Sequence, residues 1–315
     1  MQATKKGLDS ILASDKAVII GCGDSTVKIF DLNSQFIGQV QFDSPVLGMS
    51  FSPDNLEILV STSSGTIARM NIATMKYMII SESHTNAIVD VAFPPNDCDR
   101  FATASTDGTI RVWDTNEYAI VATATARREQ ERGAVPQCLA FADCILSGWS
   151  DGTVLAHTAE TGESLWFIEN AHVGGVTALC ISHNKRFILT GGPEGDVRLW
   201  ELRSRELMSH LKEHVNRVTA LSLFDDDTIA VSASRDRCIL QWDLRSERRI
   251  HCHMQRMGGI NSVVISKDES HILSVGQERK VVYWNKQVDQ PSYQKLIDGE
   301  TGIRPFSQLM SYLPY

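Results

Sequence analysis

Three features are missing from the sequence, and each absence excludes a class of protein. No apolar run is long enough to cross a bilayer, and the N-terminus, MQATKKGLDS, lacks the apolar core of a signal peptide. Positive charge is not in excess, because 30 basic residues face 38 acidic ones and the formal net charge is −8. Such a balance argues against a broad nucleic-acid interface. We therefore expect a cytosolic protein that binds neither membrane nor nucleic acid.

The seven cysteines do not follow a disulfide or metal-binding pattern. Their number is odd, and no two are spaced as Cys-x-x-Cys. Cys138 and Cys180 lie in apolar, strand-like stretches, where a free thiol packs as a small hydrophobic group. This usage favours a reducing intracellular compartment. The cluster His251-Cys252-His253 does not predict zinc, because strand alternation separates the thiol from both imidazoles and no second ligand group has suitable spacing.

What the sequence does contain is a hairpin with a characteristic ending, at Arg100–Asp114 (RFATASTDGTIRVWD). Alternating side chains predict one strand on each side of Asp107-Gly108, which is a strong turn signal. The second strand closes on the dipeptide Trp113-Asp114. That ending is typical of a WD40 repeat, a four-stranded unit of about 40–45 residues.

The same ending recurs at nearly constant spacing. The positions equivalent to Asp114 are separated by 40, 43, 44, 43, 42 and 42 residues, and four of the seven follow a tryptophan. The dipeptides are Phe30-Asp31, Met70-Asn71, Trp113-Asp114, His157-Thr158, Trp200-Glu201, Trp242-Asp243 and Trp284-Asn285. Because one unit cannot bury a core alone, seven units predict a closed ring. The predicted fold is all-β, a seven-bladed WD40 β-propeller.

One domain is expected, although the length alone would suggest two. We place the propeller at residues 1–300, with blades that end near residues 42, 81, 124, 169, 211, 254 and 297. The last outer strand is predicted at Tyr293–Ile297, and residues 301–315 are left as an unassigned C-terminal tail. The second blade, with Ser64 and Met70 at the marked positions, is expected to rely on packing alone.

Three blades contain a set of polar residues that we predict to be buried and structural. Resemblance to WD40 proteins implies a chain of hydrogen bonds from tryptophan to hydroxyl to imidazole to carboxylate. A hydroxyl, an imidazole and a carboxylate also suggest a hydrolase, but a catalytic triad occurs once, whereas this set recurs. The sets are His84, Thr103 (or Ser105, on the same strand face), Asp107 and Trp113; His172, Thr190, Glu194 and Trp200; and His214, Ser232 (or Ser234), Asp236 and Trp242.

No other chemistry is indicated by the sequence. The glycine pairs Gly174-Gly175 and Gly191-Gly192 lack the Lys-Ser/Thr of a phosphate-binding loop and do not precede helices. We therefore predict no catalytic residue, no metal, no cofactor and no small-molecule substrate. The chain is expected not to be an enzyme.

Partner-binding residues are expected in the turns, because loops on a rigid scaffold often hold function. The longest polar insertion, Ala126–Pro136 (ARREQERGAVP), separates the third and fourth blades. Other turns add a tryptophan and basic residues, which predict a basic patch for an acidic protein partner; the alternative is an ordinary solvated surface. The predicted residues are Arg127, Arg128, Arg132, Trp149, Arg217, Arg235, Arg237, Arg279 and Lys280.

Several stretches also resemble one particular family, the cilia- and flagella-associated WD-repeat proteins that line the lumen of doublet microtubules. These stretches are Asp90–Trp113 (DVAFPPNDCDRFATASTDGTIRVW), Gly148–Gly152 (GWSDG), Ala171–His214 and Arg279–Trp284 (RKVVYW). That family carries two tandem propellers, and the chain resembles mainly its central and C-terminal part. The resemblance implies a microtubule inner protein of the ciliary or flagellar axoneme that binds tubulin and inner-junction proteins.

Two further hypotheses are kept open. Centriole and basal-body WD-repeat proteins share much of the same pattern, and a generic cytosolic WD40 adaptor fits the fold equally well. A propeller hydrolase is disfavoured, because no single pocket constellation stands out. The expected location is therefore the cytoplasm and cytoskeleton, in the axoneme of a cilium or flagellum or at the basal body.

Overall fold

A computed structural model describes residues 7–81, 84–95, 99–126, 133–255, 258–277 and 280–285, and the backbone of 296–298 and 302–304. Over these ranges the chain forms strands and turns, with no helix. Accordingly, the described part of the chain has no helix that is long and apolar enough to cross a membrane.

Six sheets contain four antiparallel strands each, paired in chain order. Blade 1 contains β1 (Leu8–Ala13), β2 (Ala17–Cys22), β3 (Thr26–Asp31) and β4 (Phe36–Gln41); blade 2 contains β5 (Val46–Phe51), β6 (Glu57–Thr62), β7 (Ile67–Asn71) and β8 (Tyr77–Ser81); blade 3 contains β9 (Ile88–Ala92), β10 (Arg100–Ser105), β11 (Thr109–Asp114) and β12 (Ile120–Thr125).

The second half of the ring repeats this arrangement. Blade 4 contains β13 (Pro136–Phe141), β14 (Ile145–Trp149), β15 (Val154–His157) and β16 (Ser164–Ile168); blade 5 contains β17 (Ala178–Ile181), β18 (Phe187–Gly191), β19 (Asp196–Glu201) and β20 (Leu207–Lys212); blade 6 contains β21 (Val218–Leu223), β22 (Ile229–Ser234), β23 (Cys238–Asp243) and β24 (Arg248–Met254). Blade 7 contains β25 (Ile260–Ile265), β26 (His271–Gly276) and β27 (Val282–Asn285).

The first strand of every blade faces the centre of the ring. Each of these inner strands contacts the inner strand of the next blade, and β25 contacts β1, so the circle is closed. The prediction of a seven-bladed, all-β propeller is confirmed. Stacking of neighbouring sheets explains why the second strands are buried on both faces: in β10 every residue after Arg100 is buried. The outer strands instead alternate exposed and buried residues near their ends.

Blades 1 and 7 close the ring by side-to-side contact. Asn261 Nδ2 donates to the Leu8 carbonyl at 2.7 Å and to Asp9 Oδ1 at 3.2 Å. Between the two sheets lies an apolar cluster that includes Ile11 and Val18 from blade 1 and Leu273 from blade 7. In the described residues the two blades share no strand, so the seam depends on these contacts.

The last predicted strand differs from the structure. Part of the predicted strand Tyr293–Ile297 lies outside the described residues, and the described part pairs elsewhere: β28 (Leu296–Asp298) forms a two-stranded ladder with β29 (Gly302–Arg304). The dipeptide Asp298-Gly299, a hairpin signal that competes with extension of the blade, was overlooked. Blade 7 consequently has three strands in the described part of the chain.

Candidate interaction surface

The candidate surface is the upper face of the ring, which we define by the turns that follow the second strand of each blade. In blade 3 this turn is Thr106–Gly108, and in blade 6 it is Arg235–Arg237. The loops that lead into the inner strands lie beside these turns, because the backbone N–H of Thr106 donates to Ala87 O at 2.9 Å and that of Arg235 to Arg217 O at 3.0 Å. Buried polar networks hold the two sets of loops together.

The blade 3 network links four side chains in one line. Trp113 Nε1 donates to Thr103 Oγ1 at 3.0 Å, and the same hydroxyl lies 2.8 Å from His84 Nε2. His84 Nδ1 lies 2.8 Å from Asp107 Oδ2. Burial lowers the pKa of His84, which favours the neutral ring. With Nδ1–H donating to the carboxylate, Nε2 is left to accept the hydroxyl proton. The imidazole is therefore neutral in this arrangement.

Blades 5 and 6 repeat the same connections. Each indole N–H donates to a hydroxyl ten residues earlier, Trp200 to Thr190 at 2.9 Å and Trp242 to Ser232 at 2.8 Å. The imidazoles bridge hydroxyl and carboxylate at closely similar distances, 2.8 and 2.7 Å for His172 and 2.8 and 2.8 Å for His214. The carboxylate partners are Glu194 and Asp236.

The electrostatics of these networks suit structure better than nucleophilic chemistry. Burial lowers the pKa of His84 and of His172, although the adjacent carboxylate opposes the shift. Burial alone would raise the pKa of Asp107, but hydrogen bonds from Thr109 and His84 outweigh it and hold the pKa at about 2. The hydroxyls of Thr103 and Ser232 belong to residues that are 0% exposed. A substrate cannot reach them, so the arrangement is a support for the loops.

Blade 5 accommodates glutamate where two other blades have aspartate. A Cβ added at Gly192 would lie 2.3 Å from His172 Nδ1 and 2.4 Å from Glu194 Oε2. The equivalent residue in blade 3 is Ser105 and in blade 6 Ser234, and there the carboxylate is one methylene shorter. Glycine at this position therefore makes room for the longer side chain, a compensation that the sequence analysis missed.

Blade 2 corrects the prediction that it relies on packing alone. Its turn contains a cluster of hydroxyls in place of the imidazole network: Ser64 Oγ lies 3.0 Å from Thr62 Oγ1, 3.0 Å from Thr66 Oγ1 and 2.8 Å from Ser44 Oγ. Ser44 comes from the loop that leads into the inner strand, so the cluster joins the same two loops that His84 and Asp107 join in blade 3.

Trp149 was predicted as a partner-binding residue from its turn position, and that prediction is wrong. The side chain is 0% exposed, and its indole N–H donates to Ser147 Oγ at 2.8 Å. Residues 126–136, which precede blade 4, contain no histidine that could hydrogen-bond to the Ser147 hydroxyl as His84 does to Thr103 in blade 3. Trp149 therefore belongs to the core of the blade.

Two of the predicted arginines lie side by side on the upper face. Arg217 and Arg235 are exposed, and burial of part of the Arg217 side chain together with the positive charge of Arg235 lowers the pKa of Arg217. Arg217 also reaches blade 4, where an Nη atom lies 3.4 Å from Gln137 Oε1. Lys280 is half-buried at the corresponding turn of blade 7.

Arg237 is exposed and has a strained backbone, with φ of +75°. The equivalent turn residues Gly108 and Gly152 have φ of +85° and +89°, a region that glycine adopts without steric cost. Ser25, at the equivalent turn of blade 1, has φ of +70°, so the conformation belongs to this turn. Arg127, Arg128, Arg132 and Arg279 lie outside the described residues, and their predicted role stays a prediction.

Two valines on this face were not predicted. Val173 is 81% exposed and Val215 is 86% exposed, the highest values among the large hydrophobic residues that are exposed. Each directly follows a network histidine, and the Val215 N–H donates to Asp236 Oδ2 at 3.1 Å. The signal available in the sequence was the dipeptide His-Val, which recurs in blades 5 and 6.

Comparison with known proteins agrees with this geometry. The model of the WD domain, G-beta repeat, matches residues 76–114, and the Vps8 beta-propeller model matches residues 120–255. The fold is a seven-bladed WD40 β-propeller. The two matched ranges together cover blades 3, 5 and 6, which contain the polar networks.

Two sets of known proteins are similar in sequence to this chain. Cilia- and flagella-associated protein 52 of Homo sapiens is 30% identical over 186 residues, 56% of this chain and 28% of that protein, and the Chlamydomonas reinhardtii protein is 30% identical over 208 residues. WD repeat-containing protein 90 of Mus musculus is 26% identical over 195 residues, 60% of this chain and 10% of that protein. The chain thus spans about a third or less of the relatives it matches.

Proposed function

We propose that the chain is a non-catalytic interaction scaffold of cilia or flagella. Similarity to cilia- and flagella-associated protein 52 of mammals and of Chlamydomonas reinhardtii supports this proposal, as predicted from the sequence. The networks also favour a scaffold over a hydrolase, because the hydroxyls of Thr103, Thr190 and Ser232 are buried. A rigid ring presents two faces and a rim, so it can hold several partners at once.

The partner in this proposal is tubulin in the axonemal doublet, with inner-junction proteins as further partners. The observation that carries the tubulin assignment is the pair Arg217 and Arg235, which are both exposed and lie on adjacent loops joined by the hydrogen bond from the Arg235 N–H to Arg217 O at 3.0 Å. Two exposed positive charges on one face suit an acidic partner surface. Val215 offers an apolar contact beside the pair.

Co-sedimentation with microtubules tests the tubulin assignment. We expect the purified chain to pellet with microtubules, and the pelleted fraction to fall as the salt concentration rises, because the arginine pair acts through charge. Arg235→Gln should weaken binding about five- to tenfold, in line with a rim charge pair worth about 1 kcal/mol or more. Arg248→Gln, on the outer strand of the same blade, is the matched control. Equal binding by both variants would contradict the assignment.

The centriole or basal body is the second candidate location. The sequence pattern shared with centriole and basal-body WD-repeat proteins is its basis; the similarity to WD repeat-containing protein 90, 25–26% identical in Mus musculus and Homo sapiens, concerns the repeats alone. Localisation of the tagged chain in a ciliated cell distinguishes the two locations.

A further inference from the structure

A pocket of about 450 Å³ opens at the seam between blades 1 and 7. It lies on the lower face, which we define by the loops β1–β2 (Ser14–Lys16) and β25–β26 (Ser266–Ser270), at the opposite end of the strands from the upper face. The volume falls in the range of ligand-binding pockets. The polar networks and the arginines of the upper face do not line it, so the pocket is separate from the candidate surface described above.

The interior of the pocket is apolar. Val18 and Leu273 form part of its wall and are each 1% exposed, and Leu32 lies at the pocket with 53% of its surface exposed. Leu32 extends the apolar wall of the pocket to the protein surface.

The polar groups at the pocket mostly have local partners. Asp268 accepts hydrogen bonds from the Ser266 hydroxyl at 2.6 Å and the Ser270 hydroxyl at 2.5 Å, and Tyr283 OH lies 3.2 Å from Ser34 Oγ. His271 Nδ1 lies 2.5 Å from the Ser270 hydroxyl. Asp15 and Lys267 also line the pocket, but both are exposed, so these charged groups lie towards solvent. The apolar wall therefore suits an apolar occupant.

The chain itself supplies a segment of that chemistry. Tyr283, which lines the pocket, lies on β27, and the blade ends two residues later at Asn285 with 30 residues still to follow. Among these, residues 306–315 (FSQLMSYLPY) carry no charged side chain and six large apolar or aromatic ones. The stretch from Asn285 to Leu296 can span up to roughly 38 Å, and the β28–β29 ladder that follows keeps Arg304 beside Leu296. This length is enough for the segment to return to the pocket beside its starting point.

We propose that the seam pocket binds the chain's own segment 306–315, with its aliphatic and aromatic side chains against Val18, Leu32 and Leu273. The segment then covers the exposed leucine and bridges the two blades that share no strand in the described residues. A propeller is stabilised by contacts between neighbouring blades, so an added contact at the seam opposes opening of the ring at its closure point.

Hydrogen exchange of the full chain tests this proposal. In the tail variant, Leu309, Met310, Tyr312 and Leu313 are all changed to serine; in the pocket variant, Leu32→Lys replaces the exposed leucine. We expect each variant to speed amide exchange about tenfold or more over residues 13–18 and 266–273, because local opening becomes easier. The combined variant should show no further change, since both remove the same contact.

Two matched controls accompany these variants. Leu56→Lys changes a leucine that is 59% exposed on the β5–β6 loop and does not line the pocket. Ser307→Ala with Gln308→Ala changes polar residues of the same tail segment. Both controls should leave exchange at the seam unchanged. Additive effects of tail and pocket variants, or equal effects of the controls, would overturn the proposal.

A labelled peptide of residues 306–315 provides a second measurement. It should bind saturably to the full chain that carries the tail variant, and Leu32→Lys in that chain should weaken binding about tenfold or more, as expected when an apolar anchor is replaced by a charge. The unmodified chain should bind the peptide weakly, because its own segment occupies the site. Equal binding to the unmodified chain and to the tail variant would show that the pocket is not occupied by this segment.

Discussion

Trp149 donates its indole N–H to the hydroxyl of Ser147 at 2.8 Å, on the same strand and two residues away. In blades 3, 5, 6 and 7 the hydroxyl instead accepts from a tryptophan ten residues later, at 2.8 to 3.0 Å. Blade 4 has His157 at that later position, and this imidazole hydrogen-bonds to the backbone of Thr125 in blade 3. Blade 4 therefore forms the same hydroxyl–indole hydrogen bond with a tryptophan from a different position in the blade.

Substitution of Trp149 is expected to destabilise the ring. Trp149→Ala should lower the free energy of unfolding by about 3–5 kcal/mol, because it removes a fully buried aromatic side chain. Trp149→Phe should cost less, about 1–3 kcal/mol, since it mainly leaves the Ser147 hydroxyl without its donor. Urea denaturation followed by tryptophan fluorescence measures both values. An unchanged unfolding midpoint for Trp149→Ala would contradict a core role, and Arg235→Gln serves as the surface control.

A pair of substitutions tests the compensation in blade 5. Gly192→Ala should destabilise the chain by about 1–3 kcal/mol, because the new methyl group displaces the carboxylate from His172. The double variant Gly192→Ser with Glu194→Asp recreates the residues of blade 6, Ser234 and Asp236, and should recover most of the loss. The measurement is the melting temperature of the unsubstituted chain, of Gly192→Ala and of the double variant. A double variant no more stable than Gly192→Ala would show that the shorter carboxylate does not relieve the clash.

Asp90 gives the stability of the ring a defined pH dependence. This side chain of the inner strand β9 accepts the backbone N–H of Leu139 in the next blade at 2.9 Å. Burial, which outweighs the hydrogen bonds from Leu139 and Val91, raises the pKa of Asp90 to about 6. Since the folded state holds the proton more tightly than the unfolded state, the stability from the protonated form is complete below pH about 4 and is lost as pH rises through about 6.

Asp90→Asn is therefore expected to raise the free energy of unfolding at pH 8 by about 1–3 kcal/mol more than it does at pH 5. The uncharged amide keeps an oxygen for the Leu139 N–H and removes the charge that is costly to bury. Guanidinium denaturation at the two pH values supplies the comparison. Asp143→Asn, at a side chain that is 77% exposed, is the control. The same change at both pH values would argue against a buried, titrating carboxyl group.

Much of the fold followed from the sequence, because the repeat makes each blade's evidence support the others. Trp113, Trp200 and Trp242 mark the third strands, and the spacing alone fixed the number of blades. The chain's last strand was not predictable in the same way, since residues after Asn285 no longer follow the repeat and the Asp298-Gly299 signal favoured a separate ladder.

The candidate surface was less predictable than the fold. Turn position suggested that Trp149 was accessible, but the strand β14 continues to that residue and its side chain points into the stack of blades. The exposure of Val173 and Val215 depends on how far each loop projects above its network histidine, which a single sequence does not encode. The hydroxyl cluster around Ser64 was missed because serine and threonine are common in turns for local reasons.

Arg237 allows stability and binding to be separated. Arg237→Gly should raise the free energy of unfolding by about 1 kcal/mol, because glycine adopts the positive φ of this turn without strain. The same change should weaken co-sedimentation with microtubules if the side chain contacts the acidic partner. Ser25→Gly is the matched control, since Ser25 has φ of +70° at the equivalent turn of blade 1. It should stabilise the chain without affecting binding; equal binding by both variants would remove Arg237 from the interaction surface.

Localisation of the tagged chain in a ciliated cell, before and after detergent extraction, tests the ciliary scaffold most directly. The proposal predicts a signal along the length of the axoneme that remains after the membrane and soluble proteins have been removed. A signal confined to the basal body would favour the centriolar alternative. A diffuse signal that is fully extracted would contradict the proposed function and leave a cytosolic WD40 adaptor as the better description.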